Sequence, residues 1–243
     1  MGSRRSRLER TVRAEEREWS RVRDHFGVVL LLLIITVFFS ISAPNEPWAW
    51  LATTATLAAT LTLAMLVSGA RKWVVWAGIA LAASGLGMGT IIVFTQADTR
   101  RYLSATCLLL TLLAAGAIIR RVRVHVEINM LTILGAVCIY VLLGMSFAFI
   151  FECVGEFGTR PFFTAHEAGT RSDYTYFSFV TMATVGYGDL TAQGGLGRAF
   201  AVTEGLLGQI YLVTTVAALV GNLGVTRTPA EDMAPARDER GSE

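Results

Sequence analysis

The chain has 243 residues, 53% of them hydrophobic and 16% charged, well short of the roughly 25% charged residues of an average soluble domain. That balance excludes an ordinary water-soluble globule and predicts an all-α membrane protein, because apolar runs of about 20 residues, enough helix to cross a hydrocarbon core of about 30 Å, recur along it. No paired carboxylates, His cluster or nucleophile–base set stands out, so no catalytic residue and no enzyme activity is expected.

In residues 1–25 basic and acidic side chains alternate, with Leu8, Val12, Trp19, Val22 and then Phe26 at helical spacing. This fits a cytoplasmic amphipathic segment on the inner membrane face, and equally a solvated tail. Aromatic stacking platforms are missing, so the positive charge suits a membrane face and no nucleic acid is expected as a partner. A cleaved signal peptide is disfavoured, since the basic segment is long, carries acids, and is followed only by a weak small-residue site at Ser40 to Ala43.

Six spans are predicted, running from about Phe26 to Ile41 or Ala43, Trp48 to Val67, Trp73 to Phe94, Tyr102 to Ile119, Met130 to Phe151 and Arg198 to Leu223. Residues 26–119 then form a four-helix membrane domain, 120–129 an interfacial linker, 130–223 a second membrane unit, and 224–243 a short polar tail too small to fold into a soluble ligand-sensing domain. Cys107, Cys138 and Cys153 lack metal-ligand spacing and read as small packing residues, with no disulfide assigned. Arg and Lys accumulate in segments that fall on one side when the N-terminus is inside, which predicts both termini cytoplasmic in a multi-pass protein of the cell membrane. Arg120, Arg121 and Arg123, in the linker, suit anionic membrane lipid at about 1 kcal/mol per basic residue near the surface, or simply fix topology. His125 alone is a weak sensor signal.

Between the last two spans, Glu152 to Gly197 is too broken to cross. Within it, SDYTYFSFVTMAT reads as a short helix with Ser172 or Asp173 as N-cap. About a dozen residues give roughly 18 Å, half a membrane, so the segment is expected to dip in and return as a re-entrant pore helix. The non-helical backbone that follows, Thr184 to Asp189, is tolerated at membrane depth only where protein buries it or where it lines a water-filled path. Gly186 and Gly188 take φ > 0 without steric cost, and alternating them with L-residues lets successive carbonyls face the same way. Repeated about an axis, such carbonyls form rings of oxygens suited to a dehydrated cation.

Thr181, Thr184, Val185, Gly186, Tyr187, Gly188 and Asp189 match the pattern T-x-x-T-V-G-Y-G-D, and in this signature the chain resembles the tetrameric potassium channels. The resemblance covers roughly Met130 to Leu223. It implies a selectivity filter in which the carbonyls of Thr184, Val185, Gly186, Tyr187 and Gly188, with the Thr184 hydroxyl, bind potassium ions as permeant ligands, with no other metal or cofactor. It places Asp189 at the outer mouth and the Tyr187 ring away from the ion path. Tyr176 and Phe177 stand where many such channels carry consecutive tryptophans, which keeps aromatic bulk and leaves Tyr176 a hydroxyl to offer Asp189. Val180 stands where some carry an acid, so carboxyl bracing from that position is missing.

The sixth span contains Gly208, read as a gating hinge by resemblance or as a close-packing site. If Gln209 faces the axis, then Leu212, Val216 and Val220 share its stripe and line the cavity and inner gate. Glu204, the only ionisable residue well inside any predicted span, is expected to turn toward the pore helix and bond there, either titrating or as a structural protonated carboxyl. Six spans with a pore between the last two resemble voltage-gated channels, yet the fourth span carries no arginine and the second and third no acid. Each charge crossing 100 mV supplies only about 2.3 kcal/mol, so a helix without charges is no steep voltage sensor. The expected protein is a homotetrameric, potassium-selective channel without a voltage sensor. The alternatives are a channel-like subunit of a potassium uptake transporter and a weakly selective cation channel.

Overall fold

A computed structural model describes residues 26–44, 46–95, 100–124, 130–164 and 169–225. They form seven helices: α1 (Phe26–Ser42), α2 (Pro47–Val67), α3 (Lys72–Thr95), α4 (Arg100–Val124), α5 (Met130–Phe157), α6 (Arg171–Met182) and α7 (Gly195–Val225). The N-terminal segment before Phe26, His125 and residues 226–243 of the C-terminal tail lie outside the described residues. Five helices, α2 to α5 and α7, are long and apolar enough to cross a membrane, while α1 is apolar but shorter. The chain is therefore a helical membrane protein.

Local chemistry sets several helix ends. Pro47 opens α2, where its missing N–H costs nothing and its fixed φ is already helical. Gly69, at φ 64°, follows the Ser68 C-cap and lets Ala70 N–H return to the Met65 carbonyl at 3.1 Å. Three boundaries differ from expectation. Helix α4 continues to Val124, so Arg120, Arg121 and Arg123 stand on its last turns and not in a separate linker. Arginine is a good helix former, and its charge is favourable near a helix C-terminus. Helix α7 begins at Gly195 rather than Arg198. Helix α5 runs to Phe157 and carries Glu152 inside it. Glu204 is thus not the only ionisable group within an apolar helix, because a carboxylate whose charge is met by a partner need not end one.

Two cores share α5. One face of α5, with Leu142 and Met145, closes against Leu33 of α1, Leu61 and Met65 of α2, and Leu103 and Ile118 of α4. Phe147 and Phe151, on another face, join Phe162, Phe163, Tyr174 and Phe177 in an aromatic cluster with ring centroids 4.8 to 6.1 Å apart. Hydroxyls buried within the helices mostly return to their own backbone, as Thr53, Thr60, Thr111 and Ser146 do to the carbonyl one turn back. Cys107 and Cys138 are buried and Cys153 half-buried, all three as free thiols.

The helices differ in how much of them the chain itself covers. About half of each apolar window is buried in α2, α4 and α5 (50%, 50% and 56%), against 22% in α3 and 11% in α7. Helix α7 meets its own chain along one narrow line. There Met182, the last residue of α6, seats between Gly144 of α5 and Gly208 of α7. A Cβ on Gly208 would lie 2.8 Å from Met182 Cγ and 3.1 Å from the Met182 carbonyl oxygen, neither of which is the free end of a flexible chain. Gly208→Ala is therefore expected to push α7 off α6 and lower stability by about 1–3 kcal/mol. A thermal melt in detergent checks it, and an unchanged midpoint would show that the gap is not needed.

Candidate functional site

Helix α6 has 12 residues, too few to cross a membrane. Its N-cap is Thr170, not Ser172 or Asp173. The Thr170 hydroxyl accepts from Asp173 N–H at 3.2 Å and Asp173 Oδ2 accepts from Thr170 N–H at 2.8 Å, a reciprocal capping box. Asp173 reads as a cap because it is the N3 partner of the true one, which lies one turn earlier.

One stripe of α6 carries its attachments. Arg171, 7% exposed, donates through Nε and Nη2 to Glu152 Oε1 of α5, both at 3.3 Å, and through Nη1 to Thr54 Oγ1 of α2 at 3.2 Å. Its guanidinium lies 4.7 Å from the centre of the Trp50 ring of α2 and 5.7 Å from that of Phe149. One turn on, the Thr175 hydroxyl donates to the Arg171 carbonyl at 2.8 Å and meets Ser40 of α1 at 3.1 Å. Beside it, the Ser172 hydroxyl donates to the Ile41 carbonyl at 2.5 Å. Ser178 donates to the Gly144 carbonyl of α5 at 2.7 Å and pairs with Glu204 Oε1 of α7 at 2.5 Å. Glu204 is fully buried. The second oxygens of Glu152 and Glu204 have no hydrogen-bond partner among the described residues.

The Ser178 geometry constrains a proton. The Ser178 hydroxyl has one proton for two oxygens, the Gly144 carbonyl, which only accepts, and Glu204 Oε1.

Beyond α6 the chain turns through Thr184, Gly186 and Gly188, with φ of 57°, 56° and 80°, the signs alternating with the residues between. Alternation of this kind directs successive carbonyls to one side of the strand. Thr184 is the one position here where a side chain carries left-handed backbone, a feature sequence did not reveal. The amides are directed the other way. Val185 N–H donates to the Val180 carbonyl at 3.0 Å and Gly186 N–H at 3.4 Å, while Thr184 N–H donates to the Thr181 carbonyl at 3.0 Å. Val180 and Thr181 thus hold the loop through their backbone. All of residues 183–189 are exposed in the single chain, Tyr187 to 71%.

The returning segment is tied down on the other side. Tyr176 donates its hydroxyl to Asp189 Oδ2 at 2.9 Å, which pushes the phenol pKa above its ordinary value. Gln193 N–H donates to the Phe162 carbonyl at 2.8 Å, Thr164 N–H to the Thr191 carbonyl at 3.1 Å, and Arg198 Nε to the Ala192 carbonyl at 3.0 Å. Phe177 faces the aromatic cluster and packs on Phe151, Phe162 and Phe163. An open cavity of about 690 Å³ remains beside the loop, between Tyr176, Thr181, Gly186 and Val202.

On α7, Gln209, Leu212, Val216 and Val220 are all exposed from the single chain. Gly208 is instead buried against Met182, and α7 runs through it unbroken. Of the residues around the loop, Glu152, Arg171 and Ser178 were missed by sequence. The one available signal was that the apolar pattern continues past Glu152 through Cys153 and Val154 to Phe157.

Residues 130–223, which run from α5 into α7, match a family described as ion channel. No curated protein matches the chain. The matched region holds the short helix, the loop and the exposed stripe of α7, and it points to a passive ion channel embedded in a membrane rather than to an enzyme.

Proposed function

We propose that the chain is one subunit of a homotetrameric, potassium-selective channel, with α6 as a re-entrant pore helix and residues 184–188 as its filter. The observation that carries this reading is the alternating sign of φ along Thr184, Gly186 and Gly188, in the sequence TVGYG. One strand supplies one quarter of each ring, and the carbonyls of Thr184, Val185, Gly186, Tyr187 and Gly188 replace the water shell of potassium. The tetramer accounts for what the single chain leaves uncovered: the loop, the cavity beside it and nearly all of α7. Gln209 supports the placement of that stripe on an aqueous axis, since an amide facing hydrocarbon would lose its hydrogen bonds.

Leu212, Val216 and Val220 line the inner cavity and close it by steric contact or dewetting. With α1 as a sixth, shorter span, both termini are cytoplasmic and the channel is a multi-pass protein of the cell membrane. Gating follows voltage weakly, because α4 has no arginine between Arg101 and Arg120. Anionic lipid engages Arg120, with Arg121 and Arg123 beside it. Arg71, at the α2–α3 turn, lines the same cleft as Arg120, and apolar Val74 and Leu113 offer a wall to an acyl chain.

Purified protein in vesicles is expected to pass potassium in preference to sodium, read by ion-selective flux under each gradient. Equal fluxes of the two ions would favour the weakly selective cation channel. Potassium accumulation driven by a second ion's gradient would favour the transporter subunit.

A further inference from the structure

Resting on that reading of the filter, we propose that Arg171 is a positioning residue for it, through which α1 and α2 set the geometry of the ion-binding loop. Four attachments of α6 fall at residues 171, 175, 178 and 182, successive turns of one helical stripe. The lower half of the stripe is held by the pore's own helices: Ser178 by Gly144 and Glu204, Met182 by the gap between Gly144 and Gly208. The upper half is held by Glu152 of α5 and, in addition, from outside residues 130–223. Thr54 and Trp50 of α2 take the Arg171 guanidinium, Ser40 of α1 meets Thr175, and the Ile41 carbonyl takes the Ser172 hydroxyl. Glu152 of α5 neutralises the arginine without using up its fork, leaving Nη1 for α2.

Mechanically, α6 is a rigid rod of 12 residues, roughly 18 Å long, with the filter hung on its lower end. The Val180 carbonyl accepts the amides of Val185 and Gly186. A tilt of α6 at Arg171 therefore moves the acceptor that fixes the start of the filter. Carboxyl bracing from position 180 is missing, since Val180 has no polar side chain. The polar stripe on the back of α6 takes over that task and carries it to helices that belong to no pore element. Helices α1 and α2, lacking voltage-sensing charge, thereby have a defined role as the outer anchor of the filter.

Two substitutions in the full chain, reconstituted in vesicles, test this. Thr54→Val removes one acceptor on α2, nearly preserves volume and leaves no unpaired charge. Arg171→Lys keeps the charge for Glu152 but loses the fork that reaches α2 and the flat stack on Trp50. Both are expected to reduce the potassium-to-sodium flux ratio, or to hasten loss of conduction when potassium is withdrawn, by about tenfold, the scale of a lost hydrogen bond to a charged group. Tetramer content on size exclusion should stay at the unsubstituted level. Wild-type selectivity and wild-type survival in low potassium for Thr54→Val would overturn the assignment, whatever happens to thermal stability, because a merely structural contact alters melting alone. If Arg171→Lys fails to assemble, Thr54→Val decides by itself. An unsubstituted protein that shows no potassium preference would refute the channel reading, whereas a selective one with indifferent variants refutes only the role of Arg171.

Discussion

Gly186→Ala is expected to abolish potassium-selective flux while the subunit still folds. At φ 56° an alanine is held in left-handed backbone, which costs about 1–2 kcal/mol per residue. In the proposed tetramer four subunits contribute to one filter, so the penalty in the assembly is about 4–8 kcal/mol, comparable with the whole stability of a small domain. The cost is one of backbone conformation and not of crowding, since no described residue beyond its two chain neighbours comes within 4 Å of the position a Cβ would take. Thr184, at φ 57°, already bears such a strain, so the loop has little left to absorb a second one. Gly194→Ala is the control. That glycine has the same open space but no positive φ, and its substitution should leave flux unchanged. Vesicle flux with potassium and sodium gradients reads both variants. Normal selectivity in Gly186→Ala would remove the basis for assigning the carbonyls to the ion.

The second large effect concerns Glu204. Ser178 has a single proton for two oxygens, the Gly144 carbonyl and Glu204 Oε1, and a protonated Glu204 would satisfy both contacts. Glutamine has an N–H in the same place, so Glu204→Gln is expected to retain assembly and conduction. Glu204→Lys puts an ammonium into the same fully buried position with no carboxylate to meet it, a change on the order of 3–5 kcal/mol per subunit, and should yield no folded tetramer. Infrared difference spectroscopy gives an independent reading: a protonated carboxyl C=O band present in the unsubstituted protein and lost in Glu204→Gln. A loss of conduction in Glu204→Gln, with no such band, would mean that the carboxyl is ionised and that its charge matters.

Much of the fold was legible in advance because hydrophobic period and length act locally. The apolar runs placed five span-length helices and the shorter α1 to within a few residues, and the polar break after α5 marked where the short helix lies. The errors came where a distant partner changes what a residue can do. Glu152 reads as the end of a span until Arg171, nineteen positions on, neutralises it inside the protein. Ser172 and Asp173 read as caps until Thr170 completes the box. Gly208 read as a hinge or a packing site, and the close approach of Met182 shows what fills the space beside it.

The loop shows the same division. That Gly186 and Gly188 adopt φ > 0 follows from their lacking a Cβ, which any sequence reveals. That Thr184 does so as well follows from its setting, where the Thr181 carbonyl holds its own amide and the Val180 carbonyl holds the two that follow.

The sequence by itself determined which segments are long and apolar enough to cross a membrane, which backbone is free to turn its carbonyls together, and that α4 carries no arginine between Arg101 and Arg120, because these depend on composition and on residues adjacent in the chain. Only the tertiary structure decided how the short helix is held. Its tethers join Ser40, Thr54, Gly144, Glu152 and Glu204 to one stripe of α6. Contacts between residues so far apart along the chain leave no periodic trace in it, since each needs a partner that only packing brings near.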